Sequence, residues 1–228
     1  MTEIQQHIAA IRQTLPEGVS LLCVSKFQPI DAIREAYDAG ERDFGESRVQ
    51  ELLLKHEALP KDIRWHFIGH LQTNKVRQIV PFIHLIHSVD SEHLLACINR
   101  EAEKIGQNVN VLLELHVAEE TSKTGFTPDE LDNLTESISR GTLSFPFVNV
   151  RGVMGMATNT DDRNEWRRCF RLIADAGRRL QNSLTNSHSH TEPAIVSMGM
   201  SEDYPVAVEE GSTMVRIGSS VFGARNYA

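Results

Sequence analysis

Leu21-Leu22-Cys23-Val24-Ser25-Lys26 is an apolar run of strand character that ends on a lysine. A cation at the end of a buried strand is costly unless it is paired, reaches the rim, or is used chemically. The plain reading is a rim lysine that snorkels to solvent. Whether it does more depends on what the rest of the chain gathers around it. Upstream, Ile4, Ile8, Ile11 and Leu15 recur at helical spacing, which predicts an amphipathic helix over residues 2–15, stopped by Pro16 and Gly18. Downstream, Pro29-Ile30-Asp31 opens a second helix that Gly40 closes.

The alternation continues to the end of the chain. Strands are predicted at 43–46, 65–69, 82–89, 109–117, 148–156, 194–200 and 214–222. Helices follow at 49–56 (apolar stripe Val49, Leu52, Leu53, His56), 73–80, 90–106, 127–140, 161–184 and 202–210. With the Lys26 strand this makes eight strands, each followed by a helix except the last. Such alternation implies a parallel sheet with helical crossovers. Eight units in 228 residues fit a closed (β/α)8 TIM barrel better than an open doubly wound sheet. The extra N-terminal helix would cover the barrel where an eighth helix is absent. No linker, composition shift or repeat divides the chain, so residues 1–228 are expected to form one domain.

Composition narrows the function. A net charge of −8 and a pI near 5.7 argue against a broad nucleic-acid-binding surface. No apolar stretch approaches the ~18 residues of a membrane span, and the N-terminus lacks the basic-then-apolar order of a signal peptide. Cys23, Cys97 and Cys169 form no CxxC pair and are expected as buried free thiols. A cytoplasmic protein is expected. Ser187-His188-Ser189-His190 lies in a polar loop and points only weakly to a metal.

In barrels of this kind the active site lies at the C-terminal strand ends. There the chain places Lys26, Gly45-Glu46-Ser47, Gly69-His70, Met154-Gly155-Met156, Ser197-Met198-Gly199-Met200-Ser201 and Arg216-Ile217-Gly218-Ser219. Any one of these glycines satisfies a turn, but together they let backbone approach a ligand. Ser201 is predicted to cap the helix starting at Glu202 and to face an anion with the first amides. Ordinary capping is the alternative, and Glu202 and Asp203 must then splay away from a phosphate. Gly218, Ser219 and Ser220 offer donors one strand over. Arg216 lies inside a strand, and its permanent charge must meet an anion or a strong acceptor. Lysine, arginine and a phosphate cradle together point to a phosphorylated aldehyde, pyridoxal 5′-phosphate (PLP), held by Lys26 as a Schiff base.

These residues resemble the pyridoxal-phosphate homeostasis protein family (the YggS/PROSC group), single-domain relatives of the alanine racemase N-terminal barrel. The matching stretches include Val24-Ser25-Lys26, Phe44-Gly45-Glu46-Ser47-Arg48-Val49-Gln50-Glu51, and Trp65 through Lys75. Ser122-Lys123-Thr124-Gly125-Phe126, Gly152-Val153-Met154, Ser197 through Ser201, and Gly211 through Gly218 follow in order. The resemblance implies that Lys26 carries the cofactor, that Ser201, Gly218 and neighbouring amides hold its phosphate, and that Arg216 lies near its ring nitrogen. The expected contact set is Lys26, Ser47, Met154, Ser197, Ser201, Arg216, Gly218 and Ser219. One departure is Ser47, where the family usually has asparagine, so a shorter hydroxyl replaces an amide.

Two functions from different classes fit. One is a carrier that holds PLP and supplies it to PLP-dependent apo-enzymes without turnover. The other is an amino-acid racemase, which needs two positioned bases. In the two-domain racemases the second base is a tyrosine of a further β-domain, which this chain is expected to lack. Only Tyr37, Tyr204 and Tyr227 could substitute, and Tyr204 is the one near the site. The carrier is the reading adopted, as a monomer with no nucleic-acid or membrane partner. A barrel that binds another phosphate ester, with Lys26 as a charge partner, is a third reading.

Overall fold

Eight parallel strands close on one another in sequence order, and β8 returns to pair with β1. In a computed structural model, which describes residues 1–118, 124–186 and 193–223, the elements are α1 (Glu3–Thr14), β1 (Ser20–Val24), α2 (Ile30–Asp38), β2 (Asp43–Glu46), α3 (Val49–Ala58), β3 (Arg64–Phe67), a 3-10 turn (Thr73–Lys75) running into α4 (Val76–Ile79), β4 (Leu85–Val89), α5 (Glu92–Ile105) and β5 (Val109–Leu115). They continue as α6 (Pro128–Ser139), β6 (Val148–Gly155), α7 (Arg163–Asn186), β7 (Ile195–Ser197), α8 (Tyr204–Glu209), β8 (Met214–Ile217) and α9 (Ser219–Phe222).

Several boundaries differ from the sequence expectation. β1 stops at Val24, so Lys26 sits in the turn beyond the strand. Residues 82–84 belong to the turn after α4, where the Phe82 and Ile83 amides bond to the Ile79 carbonyl. β8 stops at Ile217 because Gly218 begins a helical turn, with the Phe222 amide returning to the Gly218 carbonyl. A short helix therefore follows the last strand as well. α1 packs on α2 and α9, beside the β1–β8 seam, and His7 Nδ1 lies 3.1 Å from the Val221 carbonyl. The N-terminal helix thus covers the seam. Thr2 and Gln5 close its first turn as a capping box.

The main apolar cluster lies between the strands and the helices, with Phe44, Trp65, Phe67 and Phe170 among its fully buried members. A smaller cluster of Leu85, Leu112 and Met154 sits on adjacent strands β4, β5 and β6. β6 carries a bulge: Val150 pairs with Val111 but Gly152 pairs with Leu112, so Arg151 is the extra residue. Gly152 adopts φ +150°, and a Cβ there would lie 1.9 Å from the Ile195 carbonyl oxygen. Only glycine lets β6 and β7 approach so closely. Among the described residues, no helix is long and apolar enough to cross a membrane.

Candidate functional site

The C-terminal strand ends open on a cavity of about 410 Å³. Six of the eight predicted contact residues line it: Lys26, Met154, Ser201, Arg216, Gly218 and Ser219. Val24, Ile68, Met156 and Trp166 add apolar wall, and Thr158, Asn159 and Thr160 of the β6–α7 loop add polar groups. That loop and Trp166 were missed in the sequence, because they come into range only through the path of the chain after β6.

Lys26 is half-buried, and both of its neighbours are tied down. Lys55 on α3 donates from Nζ to the Ser25 carbonyl at 2.8 Å, to Glu46 Oε1 at 2.8 Å and to Glu51 Oε1 at 2.7 Å. An ammonium has three hydrogens to give, and all three are used. Ser25 Oγ donates to Glu46 Oε1 at 2.5 Å, and the Phe27 amide donates to Glu51 Oε1 at 2.7 Å. Phe27 holds a left-handed backbone, φ +64°, a conformation costing about 1–2 kcal/mol for an ordinary residue. The Glu51 bond helps to hold it there. Burial pushes the Glu46 carboxyl up to about 7 against the pull of Lys55. The sequence reading put His56 on the buried stripe of α3. Lys55 is there instead, since Glu46 and Glu51 offer its charge partners in the interior.

Arg216 is buried, opposite Leu22 on β1. The expectation of strong acceptors is met by oxygen atoms of the barrel. Nη1 donates to the Ser197 carbonyl at 2.6 Å and to Ser197 Oγ at 2.9 Å, and Nη2 donates to the Gly155 carbonyl at 3.0 Å. Burial pushes its pKa down to about 10, while Asp203 and Glu114 pull the other way. Ser197 itself is fully buried and does not line the cavity. It touches Arg216 and acts on the site only through that side chain.

Ser201 does not cap α8. α8 starts at Tyr204, and Asp203 turns its Oδ1 back to accept the Met200 amide at 2.6 Å. Ser201 Oγ instead accepts the Ser220 amide at 3.4 Å, which joins the β7 and β8 rims. Glu202 and Asp203 both line the cavity. The Asp203 carboxylate is committed to its own loop, and Glu202 is exposed. Ser47 lies elsewhere, on a separate cleft with Arg48, His70 and Lys75. The turn after β3 packs closely against it, for a Cβ on Gly69 would meet the Ser47 carbonyl at 2.3 Å.

The hydroxyls of the two described tyrosines are engaged away from the cavity. Tyr204 Oη lies 3.0 Å from Thr14 Oγ1 on α1, and Tyr37 donates to Asp62 at 2.8 Å. Tyr227 and the Ser187-His188-Ser189-His190 run lie outside the described residues. Asp43, His66 and His84 place ligand-type atoms within 4.8 Å of one another. They sit on β2, on β3 and just before β4, and the Asp43 carboxylate is already clasped by two Arg64 bonds of 2.6 Å.

A family model described as the alanine racemase N-terminal domain matches residues 1–226. The chain is 42% identical over 208 residues to the pyridoxal phosphate homeostasis protein of Aquifex aeolicus, covering 91% of this chain and 87% of that one. PipY of Synechococcus elongatus PCC7942, solved with PLP bound, matches with a TM-score of 0.85 and 36% identity over 97% of this chain and 100% of that one. An alanine racemase of Clostridium difficile 630 matches in fold, with a TM-score of 0.75 at 13% identity over 97% of this chain and 59% of that one.

Proposed function

This chain belongs to the pyridoxal phosphate homeostasis protein family, built on the alanine racemase N-terminal domain, and we propose on that premise that it binds pyridoxal 5′-phosphate and serves its intracellular homeostasis. One observation carries the reading: a lysine, a buried arginine and a serine–glycine rim from strands at both sides of the β1–β8 seam share one cavity. Its volume of about 410 Å³ falls in the range of small-ligand sites.

The cofactor, when bound, supplies an aldehyde that condenses with a lysine amine. Lys26 is the residue for that attachment, and the Lys55–Glu46–Glu51 cluster holds its turn. Ser201, Gly218 and Ser219 would hold the phosphate, and Met154, on the wall of the same cavity, would complete the contact set. Arg216 would lie near the ring nitrogen. As a permanent donor it cannot take a proton from that nitrogen, and its charge disfavours protonation there. Such a site would stabilise negative charge on the ring weakly, which argues against transamination chemistry.

We read the protein as a carrier that buffers PLP and passes it to apo-enzymes. Racemisation requires a second base, and the hydroxyls of Tyr37 and Tyr204 are bonded to Asp62 and Thr14 away from the cavity. The one-domain, monomeric and cytosolic parts of the reading rest on sequence. Three free, buried cysteines fit a reducing compartment. The test is spectroscopic. Protein mixed with PLP should develop the visible band of lysine-bound cofactor, and Lys26→Ala should abolish it. An unchanged band in that variant overturns the assignment, and absence of any band favours another phosphate ester. A chiral assay over the common amino acids should show no turnover above free PLP.

A further inference from the structure

Inside the barrel a file of side chains joins the cavity to the opposite end of the strands. Arg216 Nη1 donates to Ser197 Oγ at 2.9 Å, and Ser197 Oγ lies 3.1 Å from His87 Nδ1. His87 Nε2 lies 2.9 Å from His66 Nδ1, and His66 Nε2 lies 3.1 Å from Asp43 Oδ1. Arg64 closes the file with two 2.6 Å bonds to Asp43. The members come in turn from β8, β7, β4, β3 and β2. His66, His87, Ser197 and Arg216 are all buried, at 1%, 0%, 0% and 5% exposure.

A histidine ring nitrogen donates or accepts according to its tautomer. Here the two ends decide. Arg216 can only donate. Burial works against the Asp43 charge, yet bonds from Arg64 and His66 hold its carboxyl below the usual range, so it can only accept. His66 Nε2 must then carry a proton. If both rings are neutral, His66 Nδ1 accepts, His87 Nε2 donates, His87 Nδ1 accepts, and the Ser197 hydroxyl donates. Every bond then runs the same way, and each group uses one donor and one acceptor. The competing arrangement charges His66 and turns both His87 and Arg216 onto Ser197 Oγ as donors. That leaves the serine hydroxyl hydrogen to find another acceptor in a closed interior. Burial, with the nearby Arg216 charge, holds His87 neutral.

We propose that Asp43, His66, His87 and Ser197 form one directed hydrogen-bond relay that orients Arg216 and tunes it as the partner of the ring nitrogen. Aligned bonds polarise one another. The Asp43 charge therefore makes Ser197 Oγ a stronger acceptor, which holds the guanidinium in place. These four are positioning residues. The effect on the cofactor rests on the PLP reading, whereas the proton placement does not.

Nitrogen-15 NMR of histidine-labelled, cofactor-free protein tests the placement, with His66→Gln and His87→Gln used only for assignment. At neutral pH both rings should be neutral with the proton on Nε2. A doubly protonated ring, or a proton on Nδ1, overturns the proposal. Zinc added in equal amount should leave the His66 signals in place, and metal displacing the Nε2 proton overturns it as well. In PLP-loaded protein, Asp43→Leu should shift the visible maximum, and Asp43→Glu should restore it. His84→Gln, whose ring tilts against His66 outside the file, should not move it. An unmoved maximum in Asp43→Leu, with the tautomers as stated, overturns the coupling to the cofactor alone. Failure of PLP binding itself appears as a missing band in every variant and leaves the tautomer result standing.

Discussion

Lys55 donates to the Ser25 carbonyl at 2.8 Å, so a cation on α3 grips the backbone immediately before Lys26. The same ammonium holds Glu46 and Glu51, and Glu51 holds Phe27 on the other side. In the role proposed for it, Lys26 must present its amine repeatedly at one place. Here that constancy comes from three charged groups which the sequence places 4 to 9 positions apart on two elements.

Lys55→Met should therefore be costly. It leaves Glu46 buried without its cation, a loss of about 3–5 kcal/mol for a broken buried pair. Urea unfolding gives the value. A second variant carrying Glu46→Gln as well should lose less than Lys55→Met alone. Equal losses would show that charge pairing is not what Lys55 provides.

Glu114 on β5 gives a pH dependence with a definite sign. Burial and the nearby Asp90 raise its pKa to about 7, while Arg216 pulls it down. The folded state then holds a proton that the unfolded chain releases near the ordinary value of 4.5. The stability from neutral Glu114 is full below that value and is lost as pH rises through about 7. Between pH 5 and pH 8 the parent should lose urea resistance relative to Glu114→Gln. Parallel pH curves for the two proteins would refute this.

Gly152→Ala tests the bulge. Its Cβ would stand 1.9 Å from the Ile195 carbonyl oxygen at φ +150°, so β6 and β7 must separate. A loss of about 3 kcal/mol or more is expected, or no soluble protein at all. A urea midpoint near that of the parent would show that the strands yield more easily than their packing implies.

Ser201→Ala should weaken PLP binding about ten- to 150-fold, since the proposed hydrogen bond to the charged phosphate would contribute about 1.5–3 kcal/mol. The visible band should return at saturating cofactor, because Lys26 is untouched. Tyr204→Phe should leave binding unchanged, since that hydroxyl is bonded to Thr14. Titration of the band against PLP reads both, and a Tyr204→Phe protein with weakened binding would return this tyrosine to the site.

The sequence by itself determined the barrel and the core of the site. Eight apolar runs alternating with amphipathic helices have one economical closure, and strand periodicity then carries Lys26, Arg216 and the Gly218 rim to the same end. Local pattern reaches that far because secondary structure is written in neighbouring residues. Tertiary structure decided the rest. Ser47 faces a different cleft, and Ser197 lies beneath Arg216 where it does not line the cavity. Lys55 takes the buried position that hydrophobicity assigned to His56. His87 and Ser197 are 110 positions apart and meet only when β4 and β7 face each other across the closed barrel. A buried polar group goes wherever its partner is, and where that partner lies is settled only when the barrel closes.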